Sequence, residues 1–251
     1  GIPVPETHVV VSDEEVGTAA ADLLTRHEAV VVKLYSRQIS HKSDIGGVVL
    51  DITSREQAMV AAAGIRDRVK AAGLGAFEGF TVQPMITRRH AHELLLGLKT
   101  DPSFGPVIVF GAGGVAVEVV RDTATGLVPL DEVLAGDLID GTRIARLLAG
   151  YRDRPPAARE SVVAALLALS QLAVEQPAIV AIDVNPLLVD DKGAIALDAR
   201  IEIDGGRLRE PAPNHRLAVR PYPSGWDSRA DCEGRSFELR PMRPADAALY
   251  P

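Results

Sequence analysis

Four polar groupings stand in parts of this chain where an apolar core has little use for them. Lys33 interrupts the β-rich run AVVVKLY, and the loop that follows, HKSDIGG, puts His41, Lys42, Ser43, Gly46 and Gly47 ahead of the next apolar run, VVLDI. Asp183 and Asn185 are two residues apart in VAIDVNPLL and so share one face of a strand. Asp198 interrupts AIALDARIEI, and Glu118 interrupts VAVEVVRD. A polar side chain on a buried sheet face costs free energy unless it is paired or ligated. Asp and Asn oxygens suit a hard cation such as Mg²⁺, which takes oxygen ligands and completes its shell with phosphate oxygens. A strand lysine is a compact positive charge for a phosphate, and a Gly-rich backbone can approach one closely. The imidazole of His41 titrates near neutrality and is a competent nucleophile. Each feature also has a plain reading: a sheet with one wet face, a turn, a solvated strand end. The combination points to Mg²⁺-assisted phosphate chemistry.

The elements that must position these groups are legible from periodicity and caps. Ser12 with Glu15, and Ser54 with Gln57, have capping-box spacing, and each precedes a run with helical repeat: Val16, Ala19, Ala20, Leu23 and Leu24 after the first, and residues up to about Ala71 after the second. VVVKLYS, GGVVLDI and GFTVQPMI read as strands, so the first block is helix–strand–strand–helix–strand. The second block contains HELLLGLKTD, PVIVFGAGG and VAVEVVRD. Helices are expected at Thr142–Ala149 and Arg159–Glu175, then the strands AIVAIDVNPLLVD and GAIALDARIEI joined by a turn at Asp191-Lys192-Gly193. On the last strand Ile195, Leu197, Ala199, Ile201 and Ile203 are expected to form the apolar face, with Asp198 opposite. From Gly205 the chain turns rich in Pro, Gly and Arg and reads as a linker, residues 205–234.

Composition narrows the class. The 251 residues are 47% hydrophobic and 24% charged, enough for one or two cored domains. A net charge of −7 argues against nucleic acid or an anionic membrane as the main partner. The most apolar stretch, VVAALLALSQLAVEQPAIVAI, is broken by polar residues and Pro177, so no membrane span is expected. The single cysteine, Cys232, rules out an internal disulfide framework and fits a cytoplasmic location.

Taken together, HKSDIGGV, GFTVQPM, DPSFGPVIVFGAGGVAVE and IDVNPL resemble the ATP-grasp domain of NDP-forming acyl-CoA synthetases, relatives of the succinyl-CoA synthetase β subunit; the similarity runs from Gly1 to Ile203. The resemblance implies an α+β, ATP-grasp fold: an N-terminal lid subdomain, residues 1–86, and a C-terminal subdomain, residues 87–204, that clasp ATP. It implies that Lys33 binds phosphate, with Lys42, Ser43, Gly46 and Gly47 in a phosphate-handling loop, and that Gln83, Pro84 and Met85 form the hinge at the adenine. Asn185 and Asp198 match the Mg²⁺ ligands, with Asp183 and Glu118 close by. His41 matches a histidine implicated, in some ADP-forming acetyl-CoA synthetases, in relaying a phosphoryl group. The implied reaction is carboxylate + CoA + ATP giving acyl-CoA + ADP + phosphate, with CoA and a small carboxylate handled by CoA-binding and ligase domains that this sequence lacks.

Two positions depart from the family pattern. Gly126 stands where a basic residue is common, and Ala181 where an acid is common. They open an alternative: a decayed ATP-grasp module that regulates an attached acetyltransferase. Beyond the similarity, FELRPMRPADAALY resembles the first strand and helix of a GNAT acyltransferase, so residues 235–251 are expected to begin such a domain. The chain then reads as a fragment of a synthetase–acetyltransferase fusion.

Overall fold

The computed structural model describes residues 1–39, 42–73, 77–114, 122–221, 226–232, 234–242 and 246. His41, Glu118 and the expected strand VAVEVV lie outside them. The chain divides into two compact units. The first is Pro3–Ala91 with Ile195–Arg200; the second is Gly1–Ile2, His92–Ala194 and Ile201–Pro251.

In the first unit, β1 (His8–Val10), β2 (Val30–Tyr35), β3 (Val48–Ile52) and β4 (Gly79–Pro84) form an antiparallel sheet in the order β1-β4-β2-β3, joined by α1 (Asp13–Leu24) and α2 (Arg55–Ala71). The capping residues act as their spacing predicts. Ser12 Oγ accepts the Glu15 N–H and Ser54 Oγ accepts the Gln57 N–H. The return bonds reach one residue further out than in a standard box: Glu15 accepts from the Val11 amide and Gln57 from the Thr53 amide. Both helices bury alanine-rich stripes in one core with Val30, Val32, Leu34, Phe80 and Val82. Period-2 alternation therefore turns Val31, Lys33, Thr81 and Gln83 to the face of the sheet away from the helices. β1 has only three residues, too short for alternation to announce it.

The second unit holds β5 (His92–Asp101), β6 (Gly105–Ala112), β7 (Thr123–Leu127), β8 (Ile179–Asp190) and the outer ends, Gly193–Ala194 and Ile201–Ile203, of β9 (Gly193–Ala196) and β10 (Ala199–Ile203); the strand order is β10-β8-β5-β6-β7, with β9 paired to β8. The helix α5 (Arg159–Glu175) packs against β5, β6 and β8. Two helices precede it: α3 (Glu132–Asp140), capped by Asp131 on the Leu134 amide, and a single turn, α4 (Ala145–Leu148). α3 was not expected from the sequence, although Ala135, Leu138 and Ile139 carry its buried stripe. The helix expected at Thr142–Ala149 contracts to α4. Asp122 explains its late start, since its carboxylate accepts the Arg143 and Ile144 amides, both at 2.7 Å.

The strand expected through Asp198 is corrected. It breaks at Leu197-Asp198 into β9 and β10. Ala194 and Ala196, not Ile195 and Leu197, take the buried side. β10 is exposed throughout, with Ile201 52% and Ile203 55% accessible. It forms the sheet's edge, paired on one side only. Residues 205–217 are anchored in the second unit: Asn214 is buried and donates to the Ala173 carbonyl, Leu217 is buried, and Arg216 donates to the Pro177 carbonyl. Further along, β11 (Ser228–Cys232) and β12 (Arg235–Leu239) form a hairpin. No helix among the described residues is long and apolar enough to cross a membrane.

Candidate functional site

Lys33 lies on β2, between β4 and β3, with Thr81 and Val48 as its cross-strand neighbours. Only 9% of the residue is accessible. Its ammonium donates to the Leu197 carbonyl at 2.6 Å, an acceptor supplied by the break between β9 and β10. Burial pulls its pKa below the ordinary lysine value; the Asp198 carboxylate opposes that shift and the Lys42 charge adds to it. An ammonium is placed in the middle of a sheet at a desolvation cost, which stability alone does not explain.

The β2–β3 loop brings the second cation. Lys42 Nζ lies 3.3 Å from Asp198 Oδ1. The loop is closed by the Gly47 amide on the Lys42 carbonyl at 2.7 Å, the Gly46 amide on the Ser43 carbonyl, and the Leu34 amide on the Gly47 carbonyl. Gly46 has φ +65, a left-handed conformation suited to glycine, and a Cβ on Gly47 would stand 2.7 Å from the Lys42 carbonyl oxygen. Ser43 is exposed beside them. Within the first unit, then, Lys33, Lys42 and Asp198 come together as two ammonium groups and one carboxylate. Two ammonium groups with one acid among them, paired to Lys42, carry a surplus positive charge, which suits an anion such as phosphate.

Gln83, Pro84 and Met85, the expected hinge, occupy the end of β4 and the residue after it. Gln83 donates from its side chain to Thr7 Oγ1 at 2.8 Å, and the Met85 amide is taken by the Ala29 carbonyl. In the second unit, Asp183 is exposed and Asn185 half-buried on one side of β8, between the buried Ile182, Val184 and Leu187. Asn185 Oδ1 accepts the Gly114 amide at 3.1 Å, so the backbone after β6 fixes the side-chain amide. Gly126, on β7, faces the Leu130 and Leu138 side chains. The expected metal ligands thus belong to two units, Asp198 to the first and Asp183 and Asn185 to the second. All are hard oxygen donors, the chemistry Mg²⁺ takes. Among the described residues, the one group whose ligand atoms converge is elsewhere: Glu6, His8 and Asp22, where Arg26 already pairs with both acids. Reading the sequence missed the Leu197 carbonyl, because a backbone acceptor carries no side-chain signal. Its adjacency to Asp198 was the available hint.

A helix-backed antiparallel sheet thus holds a buried lysine on the Leu197 carbonyl, and a Gly-rich loop lysine on the neighbouring Asp198, in an α+β domain. Residues 1–203 match the family model described as an ATP-grasp domain, and the chain belongs to that family. It is 34% identical over 202 residues to the acetate–CoA ligase (ADP-forming) I subunit beta of Pyrococcus furiosus, covering 80% of this chain and 85% of that protein. A solved structure of Candidatus Korarchaeum cryptofilum dinucleotide-forming acetyl-coenzyme A synthetase 1, in complex with coenzyme A, Ca-AMPCP and HgCl⁺, matches with TM-score 0.75 and 36% identity, over 81% of this chain and 87% of that one. A second structure of that enzyme, with coenzyme A and Mg-AMPPCP and its phosphohistidine segment pointing towards the nucleotide site, matches with TM-score 0.67 and 33% identity, over 81% and 86%.

Proposed function

We propose that this chain is the nucleotide-binding part of an ADP-forming acyl-CoA synthetase, working with CoA-binding and ligase domains on a small carboxylate. The observation that carries the reading is Lys33, an ammonium held in a central strand beside Lys42 and Asp198. Lys33 and Lys42 take the phosphates of ATP, with Ser43, Gly46 and Gly47 lining their loop. Gln83, Pro84 and Met85 lie at the adenine, and Glu118 completes the nucleotide contacts. Mg²⁺ would be held by Asp198, Asn185 and Asp183; bound, it neutralises phosphate charge during transfer. His41 is the proposed phosphoryl acceptor. An imidazole nitrogen forms an N–P bond as the bond from the γ-phosphorus to the β,γ-bridging oxygen breaks and ADP leaves; the phosphoryl group then passes on towards the carboxylate. The complexes of the Korarchaeum enzyme with CoA and nucleotide analogues support this assignment. A GNAT domain beyond residue 235 and a cytoplasmic location extend the same reading.

A second reading, a regulatory nucleotide module without turnover, is favoured by one observation. At Gly126 the neighbours are apolar leucines, with no basic group in the usual place. Calorimetric titration of the 251-residue chain with ATP·Mg²⁺, beside Lys33→Ala and Asp198→Ala, tests nucleotide binding. Binding that needs Mg²⁺ and is lost in both variants is expected. Equal binding by all three proteins would refute the proposed site. Phosphohistidine at His41 in the chain joined to its ligase domains would separate turnover from regulation.

A further inference from the structure

The loop that presents Lys42 is held from outside by a residue with no role so far. Arg68, in the last turns of α2, donates from Nε to the Gly46 carbonyl at 3.0 Å. Its side chain lies against the loop: a Cβ on Gly46 would stand 2.9 Å from Arg68 Nε. Behind it, Gly64, one helical turn earlier, leaves room for the guanidinium, since a Cβ there would stand 3.3 Å from Arg68 Nη1. No carboxylate among the described residues pairs with Arg68, so it is not an ordinary surface ion pair. Its side-chain hydrogen bond among the described residues goes to the apex of the Lys42–Gly47 turn, where Gly46 sits at φ +65. Among the described residues the turn is otherwise closed by the Gly46 amide on Ser43, the Gly47 amide on Lys42 and the Leu34 amide on the Gly47 carbonyl. A loop segment carrying a lysine head group loses precision when such a turn opens, and an ammonium must be placed to within a fraction of an ångström to hold a phosphate well.

We propose that Arg68 is a positioning residue for nucleotide binding: through the Gly46 carbonyl it fixes the turn that aims Lys42 at the Asp198 carboxylate and hence at the phosphates. The inference rests on the proposed function for its consequence, but its geometry is testable without nucleotide. The experiment compares the unmutated chain with Arg68→Ala, Arg68→Lys, Lys42→Ala and the double variant Arg68→Ala/Lys42→Ala. Amide hydrogen exchange at Gly46 and Gly47 and thermal unfolding are measured without ligand; affinity for ATP·Mg²⁺ is measured by calorimetry. Arg68→Ala should speed exchange of the turn amides and weaken ATP·Mg²⁺ by about tenfold, the size expected for one charged hydrogen bond, while Tm barely moves. Arg68→Lys, which keeps a cationic donor, should recover most of the affinity. In the Lys42→Ala background, Arg68→Ala should change affinity by less than about twofold, because residues that act through one another are not additive. Additive losses would overturn the proposal, as would unchanged exchange at Gly46 and Gly47. If the unmutated chain binds no nucleotide, the proposed function fails instead, and exchange alone decides whether Arg68 holds the turn.

Discussion

Replacing Lys33 by methionine separates the two effects that meet at this residue. The side chain is nine-tenths buried and its ammonium donates to the Leu197 carbonyl at 2.6 Å. Methionine keeps the length and removes the charge. Losing a charged hydrogen bond costs about 1.5–3 kcal/mol, while lifting the desolvation of a buried ammonium returns a similar amount. The folded chain should therefore stay within about 1 kcal/mol of the original, a Tm change of roughly 2–4 °C for a protein of this size. Binding should respond quite differently. Two unit charges 4 Å apart interact by about 4 kcal/mol at an effective dielectric of 20. Lys42 remains to hold part of the phosphate charge, so a loss of roughly 2–3 kcal/mol is expected, about 30- to 150-fold in Kd for ATP·Mg²⁺. Calorimetry beside a thermal melt reads both quantities. A Kd within threefold of the original, with folding intact, would refute the reasoning: Lys33 would then be a structural lysine satisfied by Leu197.

The same residue makes a claim about alkaline pH. Burial lowers the Lys33 pKa from its ordinary 10.5. Between the folded value and 10.5 the unfolded chain binds more protons, so this group's contribution makes stability rise with pH through that window. Below it the full penalty of the buried charge applies. The Lys33→Met chain should lack that rise in denaturant titrations taken at successive pH values.

Other perturbations test the frame around the site. His92 is buried, with no partner for Nε2 among the described residues, and burial, helped by the Arg154 charge, lowers its pKa below 6.5. The folded state therefore holds it neutral, and stability should fall as pH drops from 6.5 through the folded pKa; His92→Leu should flatten the slope in urea titrations between about pH 7.5 and 5. Asp122→Ala leaves the Arg143 and Ile144 amides without their acceptor and should cost about 2–3 kcal/mol in denaturant unfolding, with Asp122→Asn recovering part. Gly105 has φ +67 and a Cβ there would collide with the Arg216 carbonyl. Gly105→Ala should loosen residues 205–217, seen as faster proteolysis there, and lower stability by about 1–2 kcal/mol or more.

What could be read from the residues was governed by repetition. α1, α2 and α5 have an apolar stripe and, for the first two, a Ser-x-x-Glu or Ser-x-x-Gln start, so their bounds followed from local chemistry. β2 and β3 were legible as a hairpin because Val-rich runs flank a Gly pair. β1 was not, being three residues long; α3 was hidden, although Pro129 breaks the chain after β7 and Asp131 caps it, because its nine residues bury only Ala135, Leu138 and Ile139. The break at Leu197-Asp198 could not have been foreseen from alternation, since the apolar residues keep period two straight across it. At the break the Leu197 carbonyl accepts from the Lys33 ammonium, 164 residues away in sequence, a partner no local pattern announces.

That break also explains why the individual motifs were more legible than their arrangement. Lys33, Lys42 and Asp198 are each conspicuous as a charged residue in an apolar neighbourhood, and each has a dull explanation when taken alone. Their meeting depends on two non-local facts. β2 must run through the middle of its sheet with its lysine on the face opposite the helices, and Ile195–Arg200 must fold with the first unit although it lies more than a hundred residues beyond the rest of it. The first fact follows from Val30, Val32 and Leu34 filling the core, which leaves Lys33 no other side. The second rests on the Lys33–Leu197 and Lys42–Asp198 bonds themselves, with the Ala196 amide on the Pro3 carbonyl. The polar contacts that would bind a phosphate are thus among those that hold this segment in its unit. Bound phosphate would compete with Asp198 for Lys42, so nucleotide should change protection of residues 195–200 as well as of the β2–β3 loop. Hydrogen exchange with and without ATP·Mg²⁺ would show both segments responding together, and a response confined to the loop would break the link between them.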